Sequence, residues 1–248
     1  MTFNLTVSPD FSPDHIAGWY IFNTWLQRKM GYPIHVELYD DFTSQRKAIS
    51  DDKIDIIFAN PYDAAMLVRE KGFTAIATAH GERDEVIIAT SIDSPINSVE
   101  ELKPGARVSL TPDPDVELIG RIMLEPANLN KDNIVVQQVA TYVVVAKQLI
   151  KGKADIGFFL KDAYEDLSQL IRKSLRILVT SEIHVVRHVL LVGPRFTDAE
   201  PLRNLLLGMA NDTPQGPQVL ESLGFSGWES QSEEDTEFMI DLMNTLQD

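Results

Sequence analysis

At 248 residues the chain is long enough to bury one large core or two smaller ones. Its 44% hydrophobic and 24% charged residues are ordinary for a soluble globular protein. A formal net charge of -15 argues against nucleic acid and against anionic membrane surfaces, both of which attract Lys/Arg clusters. There are no cysteines, which excludes disulfides, thiolate metal sites and cysteine nucleophiles. No apolar run reaches the length of about 18 residues that a spanning helix needs. The opening "MTFNLTVSP" runs straight into a strand rather than a basic, then apolar, leader. That fits either a cytoplasmic chain or a mature form given a start Met.

"FNLTVSP" has the alternation and β-branching of a first strand, and "SPDFSPDH" reads as the loop after it. Apolar residues near helical spacing (Ile16, Trp19, Tyr20, Leu26, Met30) predict a helix from Ile16 to Met30, closed by Gly31. "PIHVELY" follows as a second strand, "SQRKAISDDK" as a short helix and "IDIIFANP" as a third, largely buried strand. Residues 62–71 form the next helix, stopped by Gly72. This β-α-β-α-β rhythm predicts a parallel sheet covered by helices on both faces.

The rhythm restarts after "EVIIATSI". "SVEELKPG" reads as a short acidic helix, "ARVSLT" as a strand, 114–124 as a helix, "NIVVQQV" as a strand and 142–150 as a helix. Strands "ADIGFFL" and "LRILVT" complete this second unit. "VVRHVLLVGP" then supplies a long strand, and two helices, about 199–211 and 233–246, finish the chain. "NDTPQGPQ" is read as a loop, and no internal repeat stands out. Two α/β units joined by strands predict two lobes with a ligand cleft between them.

The segments resemble the extracytoplasmic solute-binding proteins of ABC importers, specifically the phosphate/phosphite/phosphonate-binding group. "KIDIIFANPYDAAML" resembles the family's Asp-led strand running into a Pro/aromatic turn. "SVEELKPGARVSL" is similar to its approach to the second lobe, and "AKQLIKGKADIGFF" to its Gly-x-x-Asp strand, with Gly152 and Asp155 in place. "LRILVTSEIHVVRHVLLVGP" with "LRNLLLGMANDTPQGPQVLESLGFSGW" resembles its return crossing and terminal helices. The resemblance implies an α/β, two-lobed type II periplasmic-binding fold, each lobe a mixed, mostly parallel sheet flanked by helices. Lobe 1 would comprise 1–88 plus 185–248, and lobe 2 would comprise 89–184.

In that family the second-lobe loop is Ser/Thr-rich and holds phosphonate oxygens, and a His stands about ten residues before the Gly of the Asp-led strand. Here the loop reads Thr111-Pro112-Asp113-Pro114-Asp115, and the His position holds Tyr142. Prolines lack an N–H and carboxylates only accept, so two of the family's anion contacts are replaced. Asp113 before Pro114 is also a good N-cap followed by a proline at the first helical position, a role that needs no ligand. Either way, unit charges of like sign repel by about 4 kcal/mol when about 4 Å apart at an effective dielectric near 20. That is about a thousandfold in affinity.

Further ligand candidates are Phe11 and Ser12, with His15, after the first strand, Phe42 after the second, and Asn60 and Tyr62 at the carboxyl end of the third. Phe42 stands where the family often carries Tyr. Phe42, Tyr62 and Tyr142 near Asp113 or Asp115 would suit a cation or zwitterion. The alternative for each aromatic is ordinary packing.

No catalytic constellation emerges. "HGERDE" reads as a solvated charge run, and His184 and His188, four apart in a strand-like segment, lie about 13 Å apart, too far to share a metal. Glycine-rich phosphate loops and nucleophile elbows are missing from the sequence. The reading is a non-enzymatic, cofactor-free and metal-free solute-binding component of an ABC importer. It would capture a small polar molecule by lobe closure and present it to a membrane permease, with no nucleic acid partner and no membrane insertion of its own. Its implied place is periplasmic or extracytoplasmic, with the cytoplasm left open. The alternatives are the sensing domain of a membrane receptor and a cofactor-precursor enzyme of the same fold.

Overall fold

The computed structural model describes residues 2–11, 13–81, 84–183, 186–211 and 215–245. The chain divides into two compact units, Met1–Arg83 with Arg187–Met243, and Asp84–Val186 with Asn244–Asp248.

The first unit begins β1 (Phe3–Val7), α1 (Ile16–Met30), β2 (Ile34–Val36), α2 (Phe42–Ser50), β3 (Ile56–Ala59), α3 (Pro61–Lys71), β4 (Thr74–Ala79). The second unit holds β5 (Val86–Ser91), β6 (Arg107–Leu110), α4 (Pro114–Ile122), β7 (Val135–Gln138), α5 (Tyr142–Ile150), β8 (Ile156–Leu160), two short helices α6 (Lys161–Glu165) and α7 (Gln169–Lys173), and β9 (Leu175–Thr180). The chain then returns to the first unit with β10 (Val189–Val192), α8 (Ala199–Leu207), α9 (Gly216–Leu223), β11 (Trp228–Ser230) and α10 (Glu233–Thr245).

Each unit has its own mixed sheet, ordered β11-β4-β10-β3-β1-β2 in the first and β7-β6-β8-β5-β9 in the second. Among the described residues, parallel pairing is confined to β2-β1-β3 and to β7-β6-β8. The strands that carry the chain between units or back, β10 and β5, pair antiparallel with β3 and β8. The continuous apolar run of β3 divides its side chains by strand alternation. Ile56 and Phe58 join one core with Trp19, Phe22 and Leu26 of α1, while Ile57 and Ala59 join another with Ala64 and Leu67 of α3. β10 does the same, with Leu190 and Val192 on the α1 side and Val189 and Leu191 on the α3 side. A strand apolar at every position is thus explained by helices on both faces.

Several segments differ from the sequence reading. "TAIATA" is a strand, β4, whose small residues give weak alternation. The stretch read as the loop "NDTPQGPQ" runs into helix α9 from Gly216, and β11 follows it. "SVEELKPG" supplies one 3-10 turn, Val99–Glu101, and the long return strand shortens to Val189–Val192. An internal repeat is present after all. α2, β3 and the turn between them match α5, β8 and their turn with a constant offset of 100, pairing Phe42 with Tyr142, Asp52 with Gly152, Asp55 with Asp155 and Phe58 with Phe158. Asp52 and Gly152 share the left-handed conformation, with φ of 53° and 64°.

The two aspartates do the same work in their own sheets. Asp55 accepts the Asn4 N–H of β1 at 2.9 Å, and Asp155 accepts the Arg107 N–H of β6 at 2.8 Å. Each is also ion-paired, Asp55 with Arg195 at 2.8 Å and Asp155 with Arg107 at 2.6 Å. The carboxylate occupies the place of the next carbonyl in a parallel ladder and fixes where the two strands begin.

Candidate ligand-binding site

In the first unit the carboxyl ends of β1, β2 and β3 lie side by side, because the three strands are parallel neighbours. Gln45 of α2 latches this edge, its buried amide donating to the Val7 carbonyl at 2.6 Å. Asn60 is the N-cap of α3, with its oxygen accepting the Asp63 N–H at 2.8 Å and its nitrogen donating to Ser8 Oγ at 3.0 Å. It is fully buried, so it shapes the edge from beneath. Phe11 is half-buried against the α1-side core. Phe42 and Tyr62 open α2 and α3, at the first and second helical positions.

Between those two rings lies a side chain that the sequence reading passed over. The Arg46 guanidinium carbon is 5.2 Å from the Phe42 ring centre and 5.1 Å from that of Tyr62. Arg46 also grips Asp63 side-on, Nε to Oδ1 at 2.7 Å and Nη2 to Oδ2 at 3.1 Å. Asp63 is 1% exposed and Arg46 37%. One face each of Phe42 and Tyr62 thus carries the protein's own cation. A helical offset of four, Phe42 to Arg46, was the available signal.

The same edge holds a second unexpected pair. Asp10, in the loop after β1, meets His188 Nε2 at 3.0 Å, and the imidazole stacks on Phe58 with ring centres 5.4 Å apart. Burial pushes the Asp10 carboxyl up, but the charge and hydrogen bond of His188 outweigh it and hold it below the ordinary carboxylate value. His188 precedes β10 rather than lying within a strand.

In the second unit β6 ends at Leu110, and Thr111 follows, buried, its hydroxyl lacking a hydrogen-bond partner among the described residues. Asp113 caps α4: Oδ1 accepts the N–H groups of Asp115 and Val116, each at 3.2 Å. Its other oxygen accepts the Tyr142 hydroxyl at 2.8 Å. Tyr142 opens α5 and stacks on Phe159, ring centres 6.1 Å apart. Asp113 and Asp115 are 4% and 3% exposed. The structure thus draws Thr111, Asp113, Asp115 and Tyr142 into one cluster within the second unit. The helix start there already carries a carboxylate of the chain.

Other candidates fall elsewhere. Ser12 and His184 lie outside the described residues. His15 packs against the turn at Gly224, where an added Cβ would come within 2.3 Å of its ring. "HGERDE" is not a solvated run throughout. Glu85 is buried and accepts the Ser181 hydroxyl and the Ile183 N–H, and His80 meets Glu229 at 3.3 Å.

The sequence model of one family, described as "ABC transporter, phosphonate, periplasmic substrate-binding protein", matches residues 5–236. The chain belongs to this phosphonate-binding family of ABC-transporter substrate-binding proteins. Solved structures agree in fold. PhnD1 from Prochlorococcus marinus in complex with methylphosphonate is 10% identical, with a TM-score of 0.83 over 99% of this chain and 98% of that one. A Xanthomonas citri protein bound to ATP is 18% identical, with a TM-score of 0.82 over 99% and 97%. A binding protein component of a Pseudomonas aeruginosa ABC phosphonate transporter is 15% identical, with a TM-score of 0.72 over 100% and 89%. No curated protein sequence matches the chain. These likenesses establish the type II periplasmic-binding fold, and the family is one of solute-binding rather than catalytic proteins. Among the described residues no helix is long and apolar enough to cross a membrane.

Proposed function

We propose that this member of the family captures a small polar solute outside the cytoplasmic membrane for an ABC importer, and that the solute is not a phosphonate dianion. Capture is by lobe closure: the solute contacts both units only when they are closed and favours that state by the difference in contact energy. The bound form is then offered to a membrane permease, with no chemistry on the solute.

One observation carries the ligand reading. The start of α4, where the family resemblance puts the phosphonate oxygens, has two of its N–H groups on Asp113, whose second oxygen takes the Tyr142 hydroxyl. A buried carboxylate that neutralises a helix start repels a second, doubly charged anion there. Thermal unfolding with methylphosphonate, 2-aminoethylphosphonate and inorganic phosphate tests this. A ligand at about 100 times its Kd adds about 2.7 kcal/mol of stability. The expected result is no such stabilisation by any of the three; stabilisation of that size by one of them overturns the reading.

A further inference from the structure

We propose that β7, an outer strand of the second unit's sheet, is the surface on which two copies of this chain pair, strand to strand and antiparallel about a two-fold axis.

The backbone of β7 is open on one side. The strand stands at the end of its sheet, with β6 as its one neighbour. Val135 and Val139 donate inward to the Ala106 and Leu110 carbonyls, each at 2.9 Å, so strand alternation turns the backbone N–H and C=O of Val136 and Gln138 outward. All four residues of the strand are exposed, Val135 by 56% and Val136 by 36%. A row of outward donors and acceptors beside β-branched side chains is a template for another strand.

Charge selects the occupant. No Asp, Glu, Lys, Arg or His stands between Asp132 and Lys147, the longest such stretch in the chain. Two molecules of net charge -15 repel wherever their acidic surfaces meet, so a copy settles on a face that brings no charge with it. The other sheet edges carry the usual protection against pairing. β2 and β11 have three residues each, with Glu229 in β11, and β9 carries Arg176, whose guanidinium turns to the Ser94 and Ile96 carbonyls. β7 has neither a charge nor a proline.

Identical strands related by a two-fold axis at Gln137 place Val136 of each copy opposite Gln138 of the other. Both residues have outward backbone groups, so their N–H and C=O groups exchange hydrogen bonds in the antiparallel pattern. Two five-stranded sheets then become one continuous sheet. The pairing consumes the open edge in both copies, so assembly closes at a dimer. A strand of four residues buries less than the about 1,200–2,000 Å² of a stable interface, so the dimer forms reversibly with concentration.

Sedimentation velocity from about 1 μM to about 1 mM spans the range in which such a dimer forms. The expected mass rises with concentration from 27.8 kDa toward twice that value. Two variants, Val136→Lys/Gln138→Lys and Val136→Glu/Gln138→Glu, set like charges directly opposite each other in the pair. Each alone is expected to associate about tenfold or more weakly than wild type, with a melting temperature close to wild type because both positions are exposed. An equal mixture of the two is expected to dimerise again, since Lys then faces Glu. Wild type that stays single at every concentration overturns the proposal, including a single chain that pairs this edge with some other partner. So does either variant alone dimerising as strongly as wild type, and so does a mixture that stays monomeric. The wild-type series decides independently of how either variant folds.

Discussion

Asp155 shows how much one carboxylate can settle. Hydrogen bonding from the Arg107 side chain holds its carboxyl below the ordinary range, against the upward push of partial burial. A group whose folded pKa is depressed adds stability that is fully present above its unfolded pKa, about 3.9 for Asp, and that is lost as pH falls through the folded value. Asp155→Asn is therefore expected to cost most near neutral pH, with the gap to wild type closing as pH drops below about 4. Urea unfolding of both proteins across that range checks it, and a gap that does not change with pH would show that the pair matters through shape alone. Arg46 and Asp113 belong to the same scale. Each was readable as a residue type, but its role depends on partners 17 and 29 positions away, Asp63 and Tyr142.

At the scale of elements, close approach decides what propensity does not. α1 and α9 touch at Gly18, where an added Cβ would stand 1.9 Å from the Ser222 carbonyl oxygen. The obstacle is backbone, so relief requires the helices to separate. Gly18→Ala is expected to destabilise the first unit by about 1–3 kcal/mol, the usual cost of overpacking, although alanine is the better helix former. Chemical denaturation measures this, and an unchanged midpoint would mean that the helices part freely. α9 itself went unread because Pro217 and the Gly/Pro-rich run before it signal a turn, while its helix begins just there, with Pro at a first-turn position. α1, by contrast, matched Ile16–Met30 in full, since a helix of 15 residues with one apolar face and a left-handed Gly31 stop needs no neighbour to declare itself.

For the whole molecule, 37 acidic against 22 basic residues leave a net charge of -15 that the folded chain must hold together. Self-repulsion of that kind weakens a compact state and is screened by salt. Raising ionic strength from about 0.01 M to about 0.15 M shortens the Debye length from about 30 Å to about 8 Å, and the melting temperature is expected to rise. Calorimetry at the two salts decides it: a fall would mean that surface ion pairs such as Arg69 with Glu237 and Asp241 outweigh the net repulsion.

The sequence by itself determined the α/β class, the β-α-β-α-β rhythm of the first unit and a second β-α-β unit after it, the family, and the cap at Asp113, because alternation, helical periodicity and capping chemistry act over a few residues at a time. It also contained the 100-residue repeat, hidden by divergence at all but a few positions such as Asp55/Asp155 and Phe58/Phe158. Only the tertiary structure decided that Arg46 fills the space between Phe42 and Tyr62, that Tyr142 closes on Asp113, and that Asp10 meets His188. Those contacts join side chains carried on different strands and helices. Which partner each charge meets depends on how the elements pack.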